Sequence, residues 1–142
     1  MPKRQLGKNG PNVSAIGLGM MGLSICYGAV ASDEERFKIL DRAIELGCTY
    51  FDTTDVYGDS EDLLGKYFKK YPQQRQKISA DLKSFSFRGD AEYVHHAIIK
   101  SLGHLQLDYV ALYYVHRIDP KVPMTLKRTI FEESIRAFPK KN

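Results

Sequence analysis

The strongest constraint on the fold is a regular alternation of short apolar runs with longer amphipathic stretches. Four runs have the length and the β-branched or aromatic content of buried strands, at residues 13–19, 49–53, 77–82 and 109–116. Three stretches between them repeat apolar side chains at helical spacing. The chain is therefore predicted to run strand, helix, strand, helix, strand, helix, strand.

Each predicted helix has a start signal in the sequence. Ser32 opens a capping-box sequence, and Gly47 is a stop signal at the far end of that helix. Ser60 is expected to cap the second helix, which Pro72 ends, and Asp90 is expected to cap the third. Because repeated strand–helix–strand units form a parallel sheet with right-handed crossovers, the fold class is predicted to be α/β.

The position of the basic residues limits the partners that the chain can have. The net charge is +4, but residues 1–120 hold equal numbers of acidic and basic side chains, so the whole excess lies in 121–142. Residues 1–120 therefore lack the excess of basic side chains that is typical of a nucleic-acid-binding surface. A basic helical tail is predicted at 124–142, after a first unit at 1–123. Its charge fits either a solvated end or a contact with an anionic partner.

Apolar length and cysteine usage favour a cytoplasmic protein without a membrane span. The longest relevant apolar run, at 109–115, has seven residues, whereas a bilayer span needs roughly 20. The basic N-terminus is not followed by the apolar core of a signal peptide. Cys26 and Cys48 lack metal-ligand spacing, so no metal is predicted. They are expected to be reduced, buried thiols, with a disulfide or a catalytic thiol as alternatives.

A literal GxGxxG pattern follows the first predicted strand, at Gly17, Gly19 and Gly22. In dinucleotide-binding folds the third glycine of this pattern lies in the first turn of a helix. Here Gly22 lies well before the capping box at Ser32. Two interpretations stay open, a phosphate cradle and a tight loop at the strand exit.

Ionisable side chains stand at the ends of three predicted strands. Asp52 ends the second strand, Lys83 ends the third, and His116 ends the fourth. Tyr57 follows Asp52 by five positions, in the loop. In parallel α/β barrels the carboxyl-terminal strand ends converge on the face that carries the catalytic residues. Each residue alone has an ordinary structural explanation, such as a cap or a loop anchor, but together they predict one site with four ionisable groups.

Three segments carry a family resemblance: FDTTDVYGDSEDLLGK, ISADLK and LYYVHRIDP. They resemble the N-terminal half of the aldo-keto reductases, and the opening AIGLGMMGLS is most similar to the fungal and bacterial branch. The resemblance covers about residues 3–123. It implies part of a (β/α)8 TIM barrel, with about four parallel strands and three to four helices. It also implies an NADP-dependent oxidoreductase that uses NADPH to reduce a small-molecule aldehyde or ketone to an alcohol.

The same resemblance implies a role for each ionisable group. Tyr57 would be the proton donor, Lys83 and Asp52 would tune it, and His116 would bind and orient the substrate carbonyl. A free phenol has a pKa of about 10, and a nearby ammonium group lowers that pKa because it favours the phenolate. Asp52 would hold Lys83 in place by charge pairing. The residues expected to bind the cofactor are Gly19, Met20, Met21 and Asp52.

The sequence departs from the family pattern in three respects. The strand before Lys83 contains Asp81, where the family has an apolar LATK-like run, and the loop from Lys83 to Asp90 is short. The 142 residues also build only about half of a complete barrel, which takes roughly 250 residues. Open sheet edges are therefore expected to cause self-association. Weak or no activity of the chain alone is expected because, by the same resemblance, later strands and loops supply most of the contacts to the cofactor. The alternative function is an inactive remnant, or an interaction module that completes or regulates a partner barrel.

Overall fold

A computed structural model of the protein describes residues 1–8, 10–84, 90–110, 112–117 and 120–121, with the backbone alone for 79–84. The predicted tail at 124–142 lies outside these residues. The strands are β1 (Lys3–Gln5), β2 (Asn12–Ser14), β3 (Leu18–Gly19), β4 (Tyr50–Thr54), β5 (Ser79–Ser84) and β6 (Leu112–Val115). The helices are α1 (Met21–Ser24), α2 (Asp33–Glu45), α3 (Ser60–Lys70), α4 (Pro72–Arg75) and α5 (Ala91–Leu105).

Four of the strands form one parallel sheet in the order β3, β4, β5, β6. Helices α1 and α2 connect β3 to β4, α3 and α4 connect β4 to β5, and α5 connects β5 to β6. This order confirms the predicted α/β class with parallel strands. The first and last strands of the sheet lie at its opposite edges. Because all four strands are parallel, their carboxyl-terminal ends lie at the same end of the sheet.

The first predicted strand, at 13–19, is wrong as a single element. Its first part belongs to β2, which pairs antiparallel with β1, and only β3 joins the parallel sheet. Ser14, the last residue of β2, makes side-chain hydrogen bonds where the two strands separate. Its hydroxyl donates to the Ile16 carbonyl at 2.7 Å, and its N–H donates to Thr49 Oγ1 at 3.0 Å. These side-chain bonds offer the backbone an alternative to a continuous ladder. Gly17 is required there because a Cβ atom would lie 2.5 Å from the Tyr50 ring.

The predicted helix starts are confirmed at two of three positions. Ser32 forms the complete capping box with Glu35, and the Asp90 carboxylate accepts from the Tyr93 N–H. Ser60 is not the cap of α3, because Asp59 occupies that position. Ser60 is instead the first helical residue, and its hydroxyl is hydrogen-bonded to that of Thr53 at 2.7 Å.

The last two strands are displaced from their predicted positions. The third was predicted at 77–82, but β5 begins and ends two residues later, so Lys83 lies inside the strand. Asp81 also lies within β5, opposite Asp52 of β4. The fourth was predicted at 109–116, and β6 is shorter at both ends, so His116 follows it directly.

The core lies between one face of the sheet and helices α2, α3 and α5. Phe51 of β4 and Tyr113 of β6 point into it, together with apolar side chains from all three helices. Helix α3 crosses α5 closely, because Gly65 leaves no room for a side chain: a Cβ atom would lie 2.5 Å from the His104 carbonyl oxygen. Among the described residues, no helix is long and apolar enough to cross a membrane.

Candidate active site

Asp52 lies on the sheet face opposite the helices. Side chains alternate along a strand, so the burial of Phe51 and Thr53 in the core turns Asp52 and Thr54 to the other face. The phenol of Tyr114, on β6, donates a hydrogen bond to Asp52 Oδ1 at 2.6 Å. The backbone carbonyl of Asp52 accepts from the Met20 N–H at 2.9 Å. Asp52 therefore connects three strands at this end of the sheet.

Tyr57 lies in the loop between β4 and α3. Its N–H donates to the Thr54 carbonyl at 3.1 Å, and its own carbonyl accepts from the Ser60 N–H at 3.0 Å. The residue is 8% exposed. Its ring meets that of His116 edge to face, with centroids 6.0 Å apart and an interplanar angle of 84°. The structure thus brings the loop tyrosine and the strand-end histidine together.

Lys83 lies on β5, the strand between β4 and β6. Its Cα lies opposite Thr54 on β4 and opposite Tyr114 on β6. The side chain lies outside the described part of the structure, so charge pairing between Lys83 and Asp52 stays a prediction. The backbone register does place Lys83 between the strand that carries Asp52 and the strand that leads to His116.

The residues predicted to bind the cofactor stand at the carboxyl-terminal end of β3. Gly19 is exposed, pairs with Asp52 in the sheet, and has open space where a Cβ atom would be. Met21 is half-buried in α1. Met20 is fully buried in the core, and its N–H is bonded to the Asp52 carbonyl, so its role in cofactor binding stays a prediction. Gly22 lies within the four-residue helix α1, an element that the sequence analysis missed.

A charged cluster lies next to the Tyr57 loop. Arg36 of α2 is 4% exposed and forms a two-pronged ion pair with Asp59, with both N–O distances at 2.8 Å. Arg36 also pairs with Asp33, which in turn accepts from Lys66 Nζ at 2.8 Å. The hydrogen bond from Arg36 lowers the pKa of Asp59 to about 2. The same bond raises the pKa of Arg36.

The sequence analysis did not predict a role for Arg36 or Tyr114 at this end of the molecule, although the spacing of each residue indicated on which face it lies. Arg36 precedes Leu40 by one helical turn, so it is a charged residue on the apolar stripe of α2. Tyr114 precedes His116 by two positions, the spacing that places side chains on one face of a strand.

The cysteines differ from each other. Cys48 is buried and Cys26 is exposed, and both are free. The expectation of a buried thiol is therefore wrong for Cys26, which lies in the loop after α1 with a φ of 81°. No group of three or more potential metal ligands occurs among the described residues.

A parallel sheet with crossover helices, and ionisable residues gathered at its carboxyl-terminal edge, defines part of a (β/α)8 barrel of the enzyme type. The sequence matches the aldo/keto reductase family over residues 15–141, and the chain belongs to that family. The matched region extends on both sides of the predicted boundary at residue 123, which stays a prediction.

Two curated relatives share a third to two fifths of their residues with this chain over the aligned regions. Aldo-keto reductase str7 of Strobilurus tenacellus is 40% identical over 134 residues, which cover 89% of this chain and 39% of the relative. Aldo-keto reductase yakc [NADP(+)] of Schizosaccharomyces pombe is 33% identical over 135 residues, or 87% of this chain and 39% of the relative. The chain thus spans about two fifths of the length of these relatives.

Solved structures show the same fold. The thermostable aldo-keto reductase Tm1743, in complex with the inhibitor epalrestat, has a TM-score of 0.83 and 29% identity. That alignment covers 96% of this chain and 50% of the solved chain. Aldo-keto reductase AKR11C1 from Bacillus halodurans, in its holo form, has a TM-score of 0.80 and 31% identity, over 97% of this chain and 47% of the solved chain. The described strands and helices are therefore part of a (β/α)8 barrel.

Proposed function

We propose that the chain carries the proton-donating site of an NADPH-dependent aldo-keto reductase, which reduces an aldehyde or ketone to an alcohol. The observation that carries the proposal is the arrangement of Tyr57, His116 and Asp52 at one end of the parallel sheet. The two rings are in edge-to-face contact, and Asp52 is held at the same edge by Tyr114. Family membership supports the reaction class.

Tyr57 is the proton donor in this proposal. Reduction of a carbonyl places a hydride on its carbon and a proton on its oxygen, so the site needs an acid beside the oxygen. The Tyr57 hydroxyl supplies that proton, and a ring nitrogen of His116 holds the same oxygen by a hydrogen bond. The Lys83 ammonium group favours the phenolate left after proton transfer, and Asp52 holds Lys83 in place by charge pairing.

In this proposal the end of β3 binds a reduced nicotinamide dinucleotide. Gly19 is exposed beside Asp52, and no atom occupies the space where its Cβ would be. Met21, which is half-buried, follows two positions later in the chain, whereas Met20 is fully buried. A bound NADPH would supply the hydride. The choice of NADPH is supported by the name of the Schizosaccharomyces pombe relative, which specifies NADP(+).

Label transfer tests the proposed reaction directly. The purified chain is mixed with para-nitrobenzaldehyde and NADPH deuterated at the transferable position, and the alcohol is analysed by mass spectrometry. We expect one deuterium at the carbinol carbon in excess of a protein-free control. An alcohol without deuterium, or no alcohol above the control, would overturn the proposal and favour the interaction module.

His116→Ala is expected to raise KM for the aldehyde, because the carbonyl oxygen loses its hydrogen-bond donor.

A further inference from the structure

Arg36 ties three separate segments of the chain together. It belongs to α2, and its Nη1 atom donates to the Leu23 carbonyl and the Ser24 hydroxyl of α1, each at 3.3 Å. The same guanidinium group holds Asp59, at the start of α3, through both of its terminal nitrogens. The Arg36 side chain is only 5% exposed, whereas that of Asp59 is 42% exposed, so the pair is shielded from water on the arginine side.

The loop between Tyr57 and Asp59 is too short to absorb a movement of either end. Gly58 is the single residue between them and has a φ of +57°. It packs on α1, because a Cβ atom at this position would lie 2.9 Å from Ile25 Cγ2 and 3.2 Å from the Ser24 carbonyl oxygen. The segment that Arg36 binds from one side, α1, is therefore also the surface on which the Tyr57 loop rests.

We propose that Arg36 is a positioning residue for the proton donor: by clamping Asp59 and α1 together, it holds the Tyr57 ring against His116. The consequence for catalysis rests on the proposed role of Tyr57. Arg36 itself touches neither Tyr57 nor His116 in the described structure, so its effect is transmitted by the backbone of residues 57–59.

The geometry requires arginine and not simply a positive charge. A planar guanidinium group contacts both oxygens of one carboxylate and still has donors for α1, whereas an ammonium group is a point charge that cannot span the same positions. Asp33 and Lys66 complete a cluster of two cations and two carboxylates. Arg36→Lys therefore keeps the charge balance and removes the two-pronged contact.

Amide hydrogen exchange of the full chain tests the clamp without any need for activity. In Arg36→Lys, exchange of the Tyr57 and Ser60 amides is expected to rise by about tenfold or more, while amides of α5 change much less. The matched control is Arg42→Lys, on the same helix, where the arginine pairs with Glu45 at the exposed surface. That variant is expected to leave the Tyr57 and Ser60 amides unchanged.

A second control separates positioning from general loss of stability. Tyr67→Phe removes the 2.6 Å hydrogen bond to Asp41, which joins α3 to α2 away from the Tyr57 loop. Arg36→Lys and Tyr67→Phe are compared at urea concentrations that give equal free energies of unfolding. Selective exchange in the Tyr57 loop of Arg36→Lys supports the clamp. Equal and uniform exchange in both variants overturns it.

Kinetics then distinguishes this inference from the proposed function. Arg36→Lys is expected to lower kcat by about tenfold with a smaller change in KM for NADPH, since Gly19 and Asp52 lie on β3 and β4, outside the segments that Arg36 binds. An unchanged kcat together with a released loop would overturn the link to catalysis. If the unmodified chain transfers no hydride, the proposed function fails, while the exchange data still decide whether Arg36 holds the loop.

Discussion

At the scale of single residues, two carboxyl groups near the start of α3 respond to their surroundings in opposite directions. Asp59 is stabilised as a carboxylate by Arg36, which lowers its pKa to about 2. Glu61 is 4% exposed, and burial, together with the charge of Asp55, raises its pKa despite the opposing effects of Ser101, His104 and Lys100. The two groups therefore predict opposite dependences of stability on pH.

Asp59→Asn should destabilise the protein most at neutral pH. The pKa of Asp59 is lower in the folded state than its ordinary value of 3.8, so its contribution to stability is complete above that value. The contribution is lost as the pH falls through about 2. We expect the difference in unfolding free energy between the two proteins to shrink over this range in urea titrations. A difference that stays constant with pH would contradict the ion pair.

Glu61→Gln should show the opposite trend. The folded-state pKa of Glu61 lies above its ordinary value of 4.5, so its favourable contribution is present below 4.5 and is lost as the pH rises through the raised value. The variant should therefore gain stability relative to the unmodified chain as the pH rises towards neutrality. Glu45→Gln, at an exposed ion pair, is the control and should show little such trend.

At the scale of secondary-structure elements, local signals predicted the helices better than the strands. Capping by Ser32 and Asp90 is decided by residues within one turn, so the sequence contains the whole signal. The break between β2 and β3 is decided by contacts with Thr49 and Tyr50, which lie more than thirty positions away. Such contacts leave no periodic pattern in the chain, which is why residues 13–19 were predicted as one strand.

The crossing of α3 and α5 gives a paired test with two glycines. Gly65→Ala should destabilise the protein by about 1–3 kcal/mol, because the new methyl group meets the backbone of His104 and Leu105. Gly103→Ala should stabilise it by about 0.5–1 kcal/mol, because alanine favours the helix and the added Cβ has no atom within 4 Å. Urea unfolding of both variants measures the two effects. Equal shifts would contradict the close crossing.

At the scale of the whole molecule, parallel strands explain how a site was predicted from residues far apart in sequence. Asp52 and His116 were predicted to meet because their strands end at one edge, and Tyr57 and His116 are in ring contact there. The Lys83 side chain lies outside the described part of the structure, so its place in the site stays a prediction. Arg36 was missed because its partners lie on α1 and before α3, and their proximity depends on the complete packing of the helices.

The edges of the sheet lead to a prediction about assembly. Among the described residues, β3 and β6 are edge strands, and Leu112 of β6 is 38% exposed. Edge strands with unpaired backbone groups promote association with other chains. We expect the purified 142-residue chain to increase in mean mass with concentration in light scattering. A monomer at every concentration, with cooperative unfolding, would contradict this prediction.

The most direct test of the proposed site is the rate of NADPH consumption with para-nitrobenzaldehyde in two tyrosine variants. Tyr57→Phe removes only the proposed acid, and the rate should fall by about a hundredfold or more. Tyr109→Phe removes a hydroxyl from a tyrosine that precedes β6, at the opposite end of the sheet, and should keep the unmodified rate. Tyr57→Phe at the full rate would contradict the proposal, because some other group would then donate the proton.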